Sequence, residues 1–180
     1  MKLLSGTSNR PLARAIADYP DAPLPATQID RLAAGEIFVR IDENVRGEDV
    51  FIIQSHASVE GRSVNDSIME QLIMIDAAKR ASAKRITAVI PFYGYARQDR
   101  KAQGREPITA RLVADMMPSA GAQRLATIDL HSGQIQGFFG GPVDHLTAAP
   151  VIIDYLRSTM DSNSVIVSPD TGRVKVAERY

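Results

Sequence analysis

A chain of 180 residues, 44% apolar and 23% charged, is long enough for one domain with a sizeable core. Its 21 Lys and Arg balance its 21 Asp and Glu, which excludes a general affinity for nucleic acid or an anionic membrane and requires any anion site to arise by local clustering. The absence of cysteine excludes a disulfide framework and thiolate chemistry and suits a reducing cytoplasm. The start, MKLLSGTSNRPL, lacks the apolar core of a secretory leader, and no apolar run is long enough to cross a bilayer, so the expected location is cytoplasmic.

In chain order, short runs rich in branched residues predict strands at Lys2 to Leu4, Ile37 to Ile41, Val50 to Gln54, Arg85 to Ile90, Arg124 to Leu130 and Ser164 to Val167. Helical spacing predicts helices over Pro11 to Ala17, Asn65 to Ala81, Thr109 to Met117 and Ala149 to Met160. In the second of these, Ile68, Leu72 and Ile75 form the apolar stripe, Glu70, Lys79 and Arg80 fall largely outside it, Asn65 or Asp66 caps the start, and Met69 and Met74 fill the core. The alternation is that of an α/β fold, a parallel sheet flanked by helices. In such sheets ligands gather at the carboxyl ends of the strands. There the sequence places SHASVEGRSVND, PFYGYARQDRK, HSGQ and SPDTGR.

Arg97 and Gln98 supply a rigid fork of donors and an amide, suited to phosphate oxygens and a purine edge, with Phe92, Tyr93 and Tyr95 at hand for stacking; ATP is a reasonable ligand. The competing reading is a solvated basic face paired with Asp99 and Glu106, with the tyrosines as ordinary packing. Asp129, His131 and Asp170 offer oxygen and nitrogen ligands for a divalent ion whose shell phosphate and water complete. A strand-end histidine is as commonly a hydrogen-bonded structural residue, the role expected of His56 and His145 unless they are simply exposed. Nucleophilic catalysis has no support, since GxSxG, HExxH and cysteine are all missing.

The strings NVRGEDVFIIQS, VND, MEQLIMIDAAKRASAKRITAVIPFYGYARQDRK, EPITARLVADMM, DLHSGQIQGFF and VSPD, in this order over nearly the whole chain, resemble ribose-phosphate diphosphokinase. The resemblance implies a phosphoribosyltransferase-like α/β domain, the amino-terminal half of an enzyme that transfers diphosphate from ATP to ribose 5-phosphate, giving phosphoribosyl pyrophosphate and AMP. It implies ATP contacts at Arg97 and Gln98, beside Asp99, and from the loop Ala34, Gly35 and Glu36 across a subunit contact. It also implies Mg2+ at His131 and Asp170, beside Asp129, and a homo-oligomeric assembly. Where the family commonly carries an aromatic and an Asp or Asn before Gly-Glu, this chain has Leu32 and Ala34, and its HASVEGRSV loop is longer than usual.

The family's second domain, with its catalytic loop and ribose 5-phosphate loop, is expected to be absent from residues 1–180, so that the chain alone is inactive and meets ribose 5-phosphate only together with that domain. The alternative reading is an inactive regulatory or assembly subunit of the same fold. Neither nucleic acid nor membrane is expected as a partner.

Overall fold

The computed structural model describes residues 1–59, 61–161 and 163–178. They divide into two compact units, Met1–His145 and Leu146–Tyr180. The strands are β1 (Lys2–Ser5), β2 (Thr27–Arg31), β3 (Ile37–Ile41), β4 (Asp49–Ile53), β5 (Arg85–Ile90), β6 (Arg124–Ile128) and β7 (Val143–Leu146). The helices are α1 (Arg10–Asp18), α2 (Val64–Arg80), α3 (Thr109–Ala120), α4 (Ala149–Thr159) and α5 (Val174–Ala177), with 3-10 turns at Gly133–Phe138 and Thr171–Arg173.

The five-stranded sheet runs β1-β4-β5-β6-β7, and the β1–β4, β4–β5 and β5–β6 ladders are parallel, as the alternation predicts. Apolar runs make up these strands, and Val50, Ile52, Ile86, Ala88 and Leu125 are buried, with Met74, Ile75 and Ala78 of α2 and Val113 and Met117 of α3 in the same core. This arrangement excludes water from the strands' inner face and is the main stabilising term of the fold. The β2–β3 pair is a separate antiparallel hairpin that packs against α2.

Ser164 to Val167 is not a strand: Val165 and Val167 are 78% and 80% exposed. Branched residues alone do not make a strand without a neighbour to pair with, and it is β7, unpredicted, that joins the sheet next to β6. β2 was equally hidden, because TQIDR is polar at four of its five positions and only Ile29 is buried.

The second helix also differs from its expected face. Its N-cap is Ser63, which forms a capping box with Asp66 at the third helical position, so Asp66 supports the cap instead of being it. Ile68 and Ile75 of the expected stripe are buried, but the buried face widens to take in Ser67, Glu70, Gln71, Met74 and Ala78, with Glu70 fully buried and Met69 52% exposed, reversing the expectations for these last two, Glu70 and Met69. Glu70 is buried because it has partners. Its carboxylate accepts from the Thr7 amide (2.6 Å) and hydroxyl (2.8 and 3.0 Å), Gln54 Nε2 (2.7 Å) and Arg62 Nη1 (2.6 Å). Gln54 in turn accepts from the Ser8 hydroxyl at 2.7 Å. One buried carboxylate therefore fastens the loop after β1, the end of β4 and the extended loop before α2.

Candidate nucleotide site

Because the ladders are parallel, the segments that follow β1, β4, β5 and β6 share one edge of the sheet. The segment after β5 is held from below. Tyr93 is buried and its hydroxyl donates to the Ala110 carbonyl (3.0 Å), while Tyr95, in the left-handed region at φ +62°, donates to Asn65 Oδ1. The tyrosines are thus packing and bracing residues, and Phe92 is the ring left 60% exposed.

Beyond them Arg97 and Gln98 project from the surface. Gln98 is fixed by α3: its carbonyl accepts from the Ala110 amide (3.1 Å) and its Oε1 from the Thr109 hydroxyl (2.6 Å), which leaves the side-chain N–H groups as its outward face. Asp99 turns inward, 7% exposed, and accepts from the Ser132 hydroxyl (2.5 Å) and Gln134 Nε2 (2.9 Å). The Ser132 bond, foremost, and the nearby His131 hold its carboxyl below the ordinary range. Glu106 is occupied by the amides of Ala102 and Gln103 at 2.7 and 3.0 Å. Neither acid neutralises the loop, and Arg97, Arg100, Lys101 and Arg105 have no ion-pair partner among the described residues.

The Leu32–Gly35 turn joins β2 to β3, closed by hydrogen bonds from Gly35 N to Leu32 O (2.8 Å) and from Leu32 N to Glu36 O (2.9 Å), with Gly35 at φ +87°. Ala34 and Glu36 are exposed, as is Leu32 at 50%. Arg31 ties this turn down, donating to Gly35 O (3.1 Å) and pairing with Asp66 (2.7 Å). The Ser63 amide and hydroxyl, with Arg31, push the Asp66 carboxyl down to about 2. Adjacent residues of one helical turn, Asn65 and Asp66, therefore anchor the Tyr95 loop and the β2–β3 turn respectively.

Asp129, at φ +45°, and His131 are exposed at the end of β6, and the buried Leu130 between them donates its amide to His145 Nε2 (3.0 Å). His145 is thus structural. Asp170 lies in the second unit, exposed at the start of the Thr171–Arg173 turn, its carbonyl accepting from the Ser168 hydroxyl (2.7 Å). Among the described residues no three His, Asp or Glu side chains gather as a metal cage. A carboxylate and an imidazole on one solvent-facing loop nevertheless fit a hard cation that takes its remaining ligands from water and phosphate.

The family described as the N-terminal domain of ribose phosphate pyrophosphokinase matches residues 1–121. The chain belongs to the ribose-phosphate pyrophosphokinase family. It is 62% identical over 175 residues to the ribose-phosphate pyrophosphokinase of Maricaulis maris, covering 97% of this chain and 55% of that protein. It is 56% identical to that of Corynebacterium efficiens, covering 100% of this chain and 54% of the relative. The crystal structure of phosphoribosylpyrophosphate synthetase from Mycobacterium smegmatis superposes with a TM-score of 0.93 at 53% identity, covering 99% of this chain and 59% of that one. The fold is thus the expected phosphoribosyltransferase-like one. The chain spans about half the length of the curated pyrophosphokinases it matches.

Sequence reasoning passed over Thr7, Gln54, Arg62 and Gln71, and His56 was read only as structural or exposed. His56 packs directly against Gly94, where an added Cβ would lie 2.8 Å from His56 Cβ, 3.1 Å from Val64 Cγ1 and 3.2 Å from Ile68 Cδ1. Gly94→Ala should therefore cost about 1–3 kcal/mol by overpacking. Gly104→Ala, which meets nothing within 4 Å, should cost less, and urea unfolding of the two variants checks the difference.

Proposed function

We propose that this chain is the ATP- and magnesium-binding portion of a ribose-phosphate diphosphokinase, the enzyme that transfers diphosphate from ATP to ribose 5-phosphate. The observation that carries the reading is the cationic loop Arg97–Arg105 at the carboxyl edge of a parallel sheet, without an ion-pair partner among the described residues, its own acids turned away to Ser132, Gln134 and backbone amides. The Arg97 guanidinium meets phosphate oxygens, and the Gln98 N–H groups, their carbonyl end held by Thr109, donate to the nucleotide. Asp99 serves by locking this loop to the β6 loop.

Asp129 and His131 would hold Mg2+, and the resemblance alone adds Asp170. The ion supplies neutralisation of phosphate charge when bound. Ala34, Gly35 and Glu36 form the second nucleotide contact of a cytoplasmic homo-oligomer. Ribose 5-phosphate binding belongs with the half of the family's proteins that residues 1–180 do not span.

Calorimetry with ATP and Mg2+ tests the reading. Arg97→Ala should weaken ATP binding about tenfold, as expected for losing charge-assisted bonds to a phosphate. Equal affinity in the variant would remove Arg97 from the site. A wild-type chain that takes up no nucleotide would instead be an assembly subunit of the same fold.

A further inference from the structure

His56 is fully buried just beyond β4, and its amide and both ring nitrogens are hydrogen-bonded. Its amide donates to the Phe92 carbonyl (2.9 Å). On the ring, Nε2 lies 2.8 Å from Gln71 Oε1, and Nδ1 accepts the Gly94 amide at 3.2 Å. Gln71 is itself oriented, because its Nε2 donates to the carbonyls of Ile52 (3.0 Å) and Val89 (3.4 Å), leaving Oε1 to accept. The ring is therefore the Nε2–H tautomer, with Nδ1 as an obligatory acceptor.

These bonds run from the backbones of β4 and β5, through Gln71 of α2, to the Phe92–Gly94 segment that carries Tyr95, Arg97 and Gln98. Gly94 has no Cβ because that side of it is filled by His56, Val64 and Ile68. The Tyr93 ring packs beside the imidazole, centroids 5.9 Å apart.

We propose that His56 is a positioning residue for the nucleotide loop: the bond its Nδ1 accepts from the Gly94 amide, with Gln71 fixing the tautomer that makes Nδ1 the acceptor, sets where Arg97 and Gln98 stand. It acts only through the loop backbone and touches no ligand. The proposal rests on the nucleotide reading of that loop.

Asparagine and glutamine at position 56 separate the ring's Gly94 and Gln71 bonds. The Asn amide oxygen can sit where Nδ1 does and keep the Gly94 bond, whereas Gln can reach Gln71 but places no acceptor at Nδ1. In the full chain, below the melting temperature of every variant, His56→Asn should keep both slow exchange of the Gly94 amide and ATP affinity within about threefold of wild type. His56→Gln should speed Gly94 exchange and weaken ATP binding, each about tenfold, the size expected for one lost buried hydrogen bond. A merely structural role would lower stability in both variants without separating them in ATP affinity.

Equal ATP affinity for the Asn and Gln variants, or unchanged Gly94 exchange in the Gln variant, would overturn the proposal. Should the wild-type chain bind no ATP, the nucleotide reading fails by itself, while Gly94 exchange still decides whether His56 grips the loop.

Discussion

Replacing Glu70 by alanine is expected to destabilise the fold by about 3 kcal/mol, several times the effect of an ordinary surface substitution. The carboxylate is fully buried and receives bonds from Thr7, Gln54 and Arg62. Its removal leaves the buried Gln54 amide with only its longer bond to the Ser67 carbonyl (3.3 Å) and the half-buried Arg62 without its counter-charge. Glu70→Gln should cost less, since an amide oxygen still accepts, although its N–H groups would face donors. Urea denaturation of the three proteins gives the comparison. A loss below about 1 kcal/mol for Glu70→Ala would mean that water or neighbouring groups readily replace the carboxylate.

Acid should weaken the protein through His56. Burial, opposed by the Gln71 hydrogen bond, pushes this imidazole from 6.5 down to about 4. Between those values the unfolded chain binds a proton that the folded ring refuses, so stability falls as pH falls across the window. A depression of this size amounts to about 3 kcal/mol in all, and none of it varies above the unfolded pKa. The groups facing the ring are Gln71 from α2 and Gly94 and Tyr93 from the loop after β5. Burial pushes the Tyr93 hydroxyl up, so it stays neutral throughout. The carboxylates that also titrate in this range are common to wild type and His56→Asn. The difference between their urea midpoints at pH 7 and pH 4.5 therefore isolates the histidine, and equal slopes would show that the ring gains its proton without opening the fold.

Much of the architecture was legible because the core strands carry the short branched-residue runs of a buried parallel sheet, and α2 and α3 the period of a packed helix. The strands that escaped lack that signal for a physical reason: β2 belongs to a hairpin with one buried side chain, and VDHL of β7 buries none fully. Ser164 to Val167 carries the opposite lesson, strand composition without a strand. Glu70 was misplaced although its spacing pointed inward, three residues after Ser67 and four before Met74, both buried. The charge argued for solvent, and only partners far away in sequence, Thr7 and Gln54, reverse that argument. Arg97 and Gln98 could be recognised as exposed donors after a strand, whereas the inward turn of Asp99 depends on Ser132 and Gln134, more than thirty residues later. No local pattern announces such a contact.

The cations of the Arg97–Arg105 loop have a kinetic consequence. The chain carries no net charge, so at long range an approaching polyanion feels little pull. Within about 10 Å at 0.1 M salt, the loop's own positive field takes over. Association of a triphosphate should accordingly slow as ionic strength rises, while its dissociation, governed by direct hydrogen bonds, changes less. Because these cations hold no ion-pair partner among the described residues, the same salt should leave the unfolding midpoint nearly where it was. The loop would act as a short-range funnel whose strength can be adjusted without touching the stability of the sheet beneath it.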